Sequence, residues 1–334
     1  MAFEHSSLRR DFGDPAGEAR ACREDSALFD FTFLDCARVQ GPGAQSVIEA
    51  YIKRPLDTLA QGAIAYAVRT GSFGAALGDL TVWRTGVDSF EVMSGRGEDL
   101  TAFMACASAQ IETTNVGDVR AVFSVQGPGA LDALRGLGKV ETLASLSYFH
   151  FAQTELAGAS CTVGRLGYTG EAGFEIILPR SEGPRVWREL SRYSRPAGFI
   201  AADMLRIEAG FVLFTNEFSL PVSPAEAGLR QFHFERKAPK DALRLVSFRA
   251  DADRLSLPWK REGCLDRPAE PGIIAITSAC NSVVANGVLG LGFVTGSTAD
   301  EATLHDPSGQ FREIQQTPLP FYDTQKRRPR QPWR

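Results

Sequence analysis

Val39-Gln40-Gly41-Pro42-Gly43-Ala44 returns residue for residue as Val125-Gln126-Gly127-Pro128-Gly129-Ala130. Each copy follows a short apolar strand pattern: Phe29 to Phe33 with Arg38-Val39 in the first, Val122 to Val125 in the second. Each precedes a helical pattern: Ala44, Val47, Ile48 and Tyr51 in the first, Ala130, Leu131, Ala133 and Leu134 in the second. Proline and glycine make the turn, and the helix starts at once. Convergent turn chemistry accounts for Gly-Pro-Gly but not for the residues flanking it. The repeat therefore reads as two related strand–turn–helix halves, an internal duplication.

The second informative stretch is Arg165-Leu-Gly-Tyr-Thr-Gly-Glu-Ala-Gly-Phe-Glu-Ile176. Gly167, Gly170 and Gly173 fall at a spacing of three, which rules out a stable helix and leaves backbone open to close approach of a ligand. Phe174 to Leu178 then begins a strand that Pro179 ends. Alternation puts Phe174, Ile176 and Leu178 on one face and Glu175 with Ile177 on the other. A carboxylate held beside a glycine loop suits a flat ligand that presents two parallel N–H donors. The same residues also fit a solvent-facing glutamate on an edge strand.

The 334 residues are 44% hydrophobic and 23% charged, enough for two or three cores. With a net charge of -4, nothing suggests a nucleic-acid-binding surface. Six scattered cysteines without Cys-x-x-Cys, and four histidines, supply no metal-ligand spacing. A reducing cytoplasm fits this cysteine usage. The segment Glu4 to Arg10 is charged, unlike a signal peptide, and no apolar run reaches membrane-spanning length.

Residues 75–85 and 88–94 read as a hairpin about Gly86, and 201–214 as a helix. Ser223-Pro224-Ala225-Glu226 carries a capping box that predicts a helix start. Residues 235–243 read as a linker. Short strands follow at Leu245 to Phe248, Ile273 to Thr277, Val288 to Val294 and Phe311 to Gln316, suggesting a small β-barrel or sandwich. Gln325 to Arg334, basic and proline-rich, reads as a surface tail.

In this order, the segments resemble the aminomethyltransferase (glycine cleavage system T-protein) family. The folate domains of sarcosine and dimethylglycine oxidases and dimethylsulfoniopropionate demethylase share its fold. The resemblance runs from Ala27-Leu28-Phe29-Asp30 to Phe321-Tyr322-Asp323. Its most specific pieces are Gly167-Tyr168-Thr169-Gly170-Glu171-x-Gly173-x-Glu175 and Asp203-x-Leu205-Arg206-x-Glu208-Ala209-Gly210, supported by Pro224-x-Glu226-Ala227-Gly228-Leu229. It implies an α+β, three-domain disc. Two duplicated, intertwined α/β halves (1–240) would surround a central folate cavity. A C-terminal β-barrel domain (241–324) and the basic tail (325–334) would complete the chain. The implied cofactor is tetrahydrofolate. By matching position, Glu175 would grip the amino-pyrimidinone edge of the pterin. Tyr66, in Ala63-Ile64-Ala65-Tyr66, and Tyr168 would line the pocket, and Arg206 would lie near the ligand. For Arg206 a helix-surface salt bridge is the alternative.

The chain departs from the family in the first hairpin. Aminomethyltransferases carry two consecutive aspartates there, and the first is central to catalysis. Here Gly78-Asp79 stands in their place, leaving Asp79 as the catalytic candidate. Successive strand residues point to opposite faces, so Gly78 predicts a site short of its carboxylate. A family tryptophan after the capping box is also replaced, with Phe232 or Phe234 nearby, and the N-terminal segment is shorter than in glycine cleavage enzymes. These departures argue against a lipoyl carrier protein as partner. They favour a tetrahydrofolate-dependent methyltransferase or demethylase acting on a small N-, S- or O-methylated compound. A non-catalytic folate-binding protein of iron–sulfur maturation is the alternative. Its Lys-Gly-Cys-x-Gly-Gln type motif is matched here only by Glu262-Gly263-Cys264-Leu265-Asp266. A third reading, a subunit of a larger oxidase, would need a flavin-binding chain, because no such glycine fingerprint is present. The sequence leaves the substrate, the direction of transfer and a homo-oligomer open.

Overall fold

A computed structural model describes residues 8–106, 110–234, 242–252, 255–259, 261, 265–296 and 302–333. Both copies of the hexapeptide make the same joint. Gly41 and Gly127 adopt φ of +120° and +128°, a left-handed backbone that favours glycine. The following helices start at Ala44 and Ala130, whose N–H groups donate to the carbonyls of Gly41 and Gly127, each at 3.0 Å.

From these joints two sheets grow with one plan: strand, helix, three-strand meander, helix, edge strand. The first sheet is ordered Ile64–Thr70, Ala76–Gly86, Ser89–Ser94, Asp35–Gln40, Glu112–Asn115. The second is ordered Phe151–Leu156, Ala159–Gly164, Gly173–Pro179, Arg120–Gln126, Ala27–Asp30, Arg195–Ala197. The second half differs most at Ala27–Asp30, which inserts between Arg120–Gln126 and Arg195–Ala197. The apolar run expected to feed the first hexapeptide is thus divided: Ala27–Asp30 joins the second sheet, and only Asp35–Gln40 leads into Gly41. That exchange intertwines the halves.

The outer face of the first sheet packs on helices Ala44–Ile52 and Gly97–Cys106 through Ile48, Ile52, Leu100 and Phe103. The outer face of the second packs on Ala130–Arg135 and Gly183–Leu190 through Leu131, Leu134, Val186 and Leu190. The inner faces of both sheets, and helix Phe199–Glu208, share the central core. Residues 200–208 of that helix are all buried. The helix starts two residues earlier than expected and stops before 214, because Gly210 turns the chain at φ +67°.

The third sheet is ordered Ile274–Ser282, Gly287–Thr295, Leu243–Asp251, Arg312–Thr317, Thr303–Leu304. Its two edges meet. The Ile274 N–H donates to the His305 carbonyl at 3.0 Å and the His305 N–H to the Gly272 carbonyl at 2.8 Å, which closes the sheet into a barrel.

Two local expectations are corrected. Ser223 and Glu226 do make the reciprocal capping bonds, but Gly228 at φ +74° ends the turn at once. Glu226 instead ties this turn to the barrel, accepting from the Leu243 N–H at 2.8 Å and from Arg267 at 2.6 Å. The C-terminal segment is anchored rather than free. Trp333 stacks on Phe174 with centroids 4.9 Å apart, Arg328 pairs with Glu171 at 3.4 Å, and Arg165 donates to the carbonyls of Pro329 and Gln331. Most of the linker and Cys264 lie outside the described residues.

Candidate functional site

The register of the first hairpin decides which side chains face the centre. Val68 pairs with Asp79, Tyr66 with Thr81 and Ile64 with Trp83. Directly paired residues share a face, so Tyr66, Asp79, Thr81 and Trp83 point together into the interior between the sheets. The Tyr66 hydroxyl donates to Asp79 Oδ2 at 3.0 Å, and Trp83 Nε1 donates to Thr81 Oγ1 at 2.9 Å. Trp83 lies against Gly164 of the second sheet, where a Cβ would come within 2.3 Å of its ring. Gly164 pairs with Glu175, and Glu175 with Ser124. Glu175 therefore lies one strand from the Trp83 ring, on the face turned toward Tyr66 and Asp79.

Glu175 is 8% exposed. Its strand is flanked by Ala159–Gly164 and Arg120–Gln126, so it is not on a sheet edge and the solvent-facing alternative falls. Its carboxylate has no hydrogen-bond or ion-pair partner among the described residues. Burial pushes its pKa up to about 7. A carboxyl group this buried is normally paired. Such a carboxylate suits a ligand that presents N–H donors.

Asp79 is the second carboxyl of the site. Burial pushes it up to about 6, opposed by the bond from Tyr66. Burial and the Asp79 charge hold the Tyr66 phenol well above its usual range. Gly78 faces the other way, where an added Cβ would meet Asp99 Oδ2 at 2.7 Å and Arg96 Cδ at 2.8 Å. The expected shortfall of a carboxylate is corrected by this register: position 78 points at the helix Gly97–Cys106, and Asp79 occupies the interior face. Phe232 packs edge-on to Tyr66 with centroids 4.9 Å apart, while Phe234 is exposed.

Tyr168 stacks on Phe211 at 5.9 Å, and its hydroxyl donates to the Val212 carbonyl. Burial holds its phenol well above the usual range, opposed by the Arg206 charge. Arg206 is fully buried and built into the scaffold. It donates to Asp203 at 2.8 Å, the Phe211 carbonyl at 3.0 Å, Glu217 at 2.7 Å and Ser278 of the barrel at 2.6 Å. Four of the five N–H groups of a guanidinium are thereby engaged, and full burial sets this network apart from a surface salt bridge. It clamps the central helix to the third sheet.

The glycine loop also works differently from the open cradle expected. At Gly167 and Gly173 a Cβ would run into the Gln126 amide, at 2.0 and 2.5 Å. Gly170, at φ +82°, meets Ala209 Cβ at 2.7 Å. These glycines admit protein neighbours. Gln126, from the second hexapeptide, uses that space to donate to Ser124 at 3.0 Å and to the Leu166 carbonyl at 3.1 Å, fixing the loop beside Glu175. Its place in the repeat was the one sequence signal for that role.

Residues 3–235 match the family model for the GCVT N-terminal domain. The chain is 31% identical over 333 residues to an aminomethyltransferase of Saccharopolyspora erythraea, covering 92% of this chain and 89% of that protein. The chain belongs to the aminomethyltransferase family. An aminomethyltransferase of Moorella thermoacetica is 31% identical over 224 residues, 64% of this chain and 61% of that protein. The fold is that of the glycine cleavage system aminomethyltransferase T from Bartonella henselae, with a TM-score of 0.74 at 20% identity over 95% of this chain and 92% of that one.

Proposed function

We propose that this protein transfers a one-carbon unit between a small donor and tetrahydrofolate, with the carbon carried on a donor nitrogen as an aminomethyl or N-methyl group. The observation that carries the reading is Glu175: a buried residue whose carboxylate has no partner among the described residues, on the face shared with Tyr66 and Asp79. The amino-pyrimidinone edge of tetrahydrofolate offers two parallel N–H groups, and a carboxylate accepts both. Tetrahydrofolate supplies the nitrogen that takes the carbon.

The chain's own residues do the rest. Glu175 orients the flat ring system, while Tyr168 and Trp83 wall the interior and limit water. Asp79 is ionised at neutral pH, given a pKa of about 6. Its fixed negative charge in a buried site stabilises positive charge that develops as carbon leaves a donor nitrogen. Tyr66 holds the carboxylate in place through a 3.0 Å bond. A sulfonium donor departs neutral and needs this charge less. Asp79 on the interior face therefore favours nitrogen-linked donors, and it removes the ground for setting aside aminomethyl donors. The relatives' name, aminomethyltransferase, agrees with that direction.

The test incubates the protein and tetrahydrofolate with a panel of aminomethyl, N-methyl and S-methyl compounds and reads methylene- and methyl-tetrahydrofolate by mass spectrometry. Product from nitrogen-linked donors, lost in Asp79→Asn, is expected. Product from sulfonium donors alone, undiminished in Asp79→Asn, would overturn the proposal.

A further inference from the structure

Residues 326–333 lie as a strap against the segment that carries Tyr168 and Glu175. The Trp333 ring stacks on Phe174, the residue before Glu175, with centroids 4.9 Å and planes 16° apart. Arg328 pairs with Glu171 of the glycine loop at 3.4 Å. Lys326 Nζ lies 5.4 Å from the ring centroid of Phe211, and Phe211 stacks on Tyr168 at 5.9 Å.

Arg165, at the head of the glycine loop, depends on the strap most. It is 5% exposed, and no carboxylate pairs with it among the described residues. A charge this buried is normally paired. Here three carbonyls accept from it: Leu146 at 2.8 Å, and Pro329 at 3.4 Å and Gln331 from the strap. Two of the three acceptors would leave with the strap. The loop that follows contains Gly167, Gly170 and Gly173, so its backbone gains much freedom once its head is released. The Trp333 ring is what seats the strap. Its Nε1–H is buried without an acceptor, so no hydrogen bond holds it. The stack on Phe174 does, together with the Arg165 guanidinium 5.2 Å from the ring centroid.

We infer that this strap is a positioning element of the Glu175 site, with Trp333 its positioning residue. Seated, the strap holds the stretch from Arg165 to Glu175 in the arrangement that receives the ligand. The inference rests on the tetrahydrofolate reading. Phe174 points to the face opposite Glu175, so Trp333 acts through the backbone without touching the ligand. Strap and ligand favour the same ordered loop, so each strengthens the other by the same factor.

Two measurements on the full chain test it. The first is calorimetric titration of tetrahydrofolate into wild type, Trp333→Ala and Trp333→Phe. Alanine removes the stack and should weaken the Kd about tenfold, the size of one aromatic contact. Phenylalanine keeps a ring on Phe174 and loses only a donor without an acceptor, so its Kd should stay within about twofold of wild type. The second needs no variant. Trypsin cuts after Lys326, Arg327 and Arg330, and release of the C-terminal peptides from wild type is followed by mass spectrometry. Saturating tetrahydrofolate should slow that release about tenfold, by the reciprocal coupling. A strap that serves only the stability of the fold would leave the wild-type Kd unaffected by Trp333→Ala and the cleavage rate unaffected by ligand. Either result would overturn the inference. Equal weakening in Trp333→Phe and Trp333→Ala would also overturn it, since the ring stack would then not be the seat. Wild-type protein that binds no tetrahydrofolate would overturn the folate reading itself, and the wild-type titration alone separates that failure from a failure of the strap.

Discussion

Replacing Arg206 by methionine should cost stability far more than ligand affinity. The guanidinium is fully buried and holds Asp203, Glu217, Ser278 and the Phe211 carbonyl. Methionine fills similar space but leaves two buried carboxylates without their cation. Breaking a buried pair from one side costs about 3–5 kcal/mol, against a total stability of roughly 5–15 kcal/mol. Urea unfolding should show the midpoint falling with little change in slope. The deficit should narrow on acidification, because stranded carboxyls can neutralise themselves by binding protons. Tetrahydrofolate affinity of the folded fraction should change little. A variant with the wild-type urea midpoint and markedly weakened tetrahydrofolate binding would refute the clamp and return Arg206 to the ligand.

Three further outcomes follow from the site. Glu175 has its pKa raised to about 7, so the folded protein binds more protons than the unfolded chain between about pH 4.5 and 7, and its stability falls as pH rises through that window. Glu175→Gln should therefore be more stable than wild type above pH 7, by on the order of 3 kcal/mol, and equal it near pH 4.5, while ligand affinity in the wild type rises through about pH 7. Asp79→Asn should lower turnover about 100-fold or more with a smaller change in tetrahydrofolate Kd, and should abolish the rise in wild-type rate through about pH 6. Gly78→Asp places its Cβ 2.7 Å from Asp99 Oδ2 and should destabilise by about 1–3 kcal/mol without raising turnover; a gain in aminomethyl transfer would mean that position 78 reaches the interior after all.

Local features were legible in the sequence because their causes are local. The doubled Gln-Gly-Pro-Gly reads as a turn because Gly41 and Gly127 need left-handed backbone, and the hairpin about Gly86 follows from alternation. Tyr66, Asp79, Tyr168 and Glu175 could be picked out from motifs, but alternation only says that 78 and 79 face opposite ways. Which of them faces inward depends on pairing with Val68 and on the helix carrying Asp99. The glycine spacing in 167–173 looked like room for a ligand because Gln126 and Ala209, which fill that room, are distant in sequence. The scaffold role of Arg206 was hidden for the same reason: its partners Glu217 and Ser278 lie 11 and 72 residues away. The C-terminal segment read as free because its anchors, Phe174 and Arg165, belong to a strand and a loop of the second half.

Calorimetric titration of tetrahydrofolate into wild-type protein and Glu175→Gln tests the folate site most directly. Glutamine keeps the shape but offers one acceptor and an opposing donor to the pair of N–H groups. Wild-type binding weakened by about 2–3 kcal/mol in the variant, roughly 30- to 150-fold, is the expected result. Equal affinity in the two proteins, or no binding by the wild type near neutral pH, would contradict it.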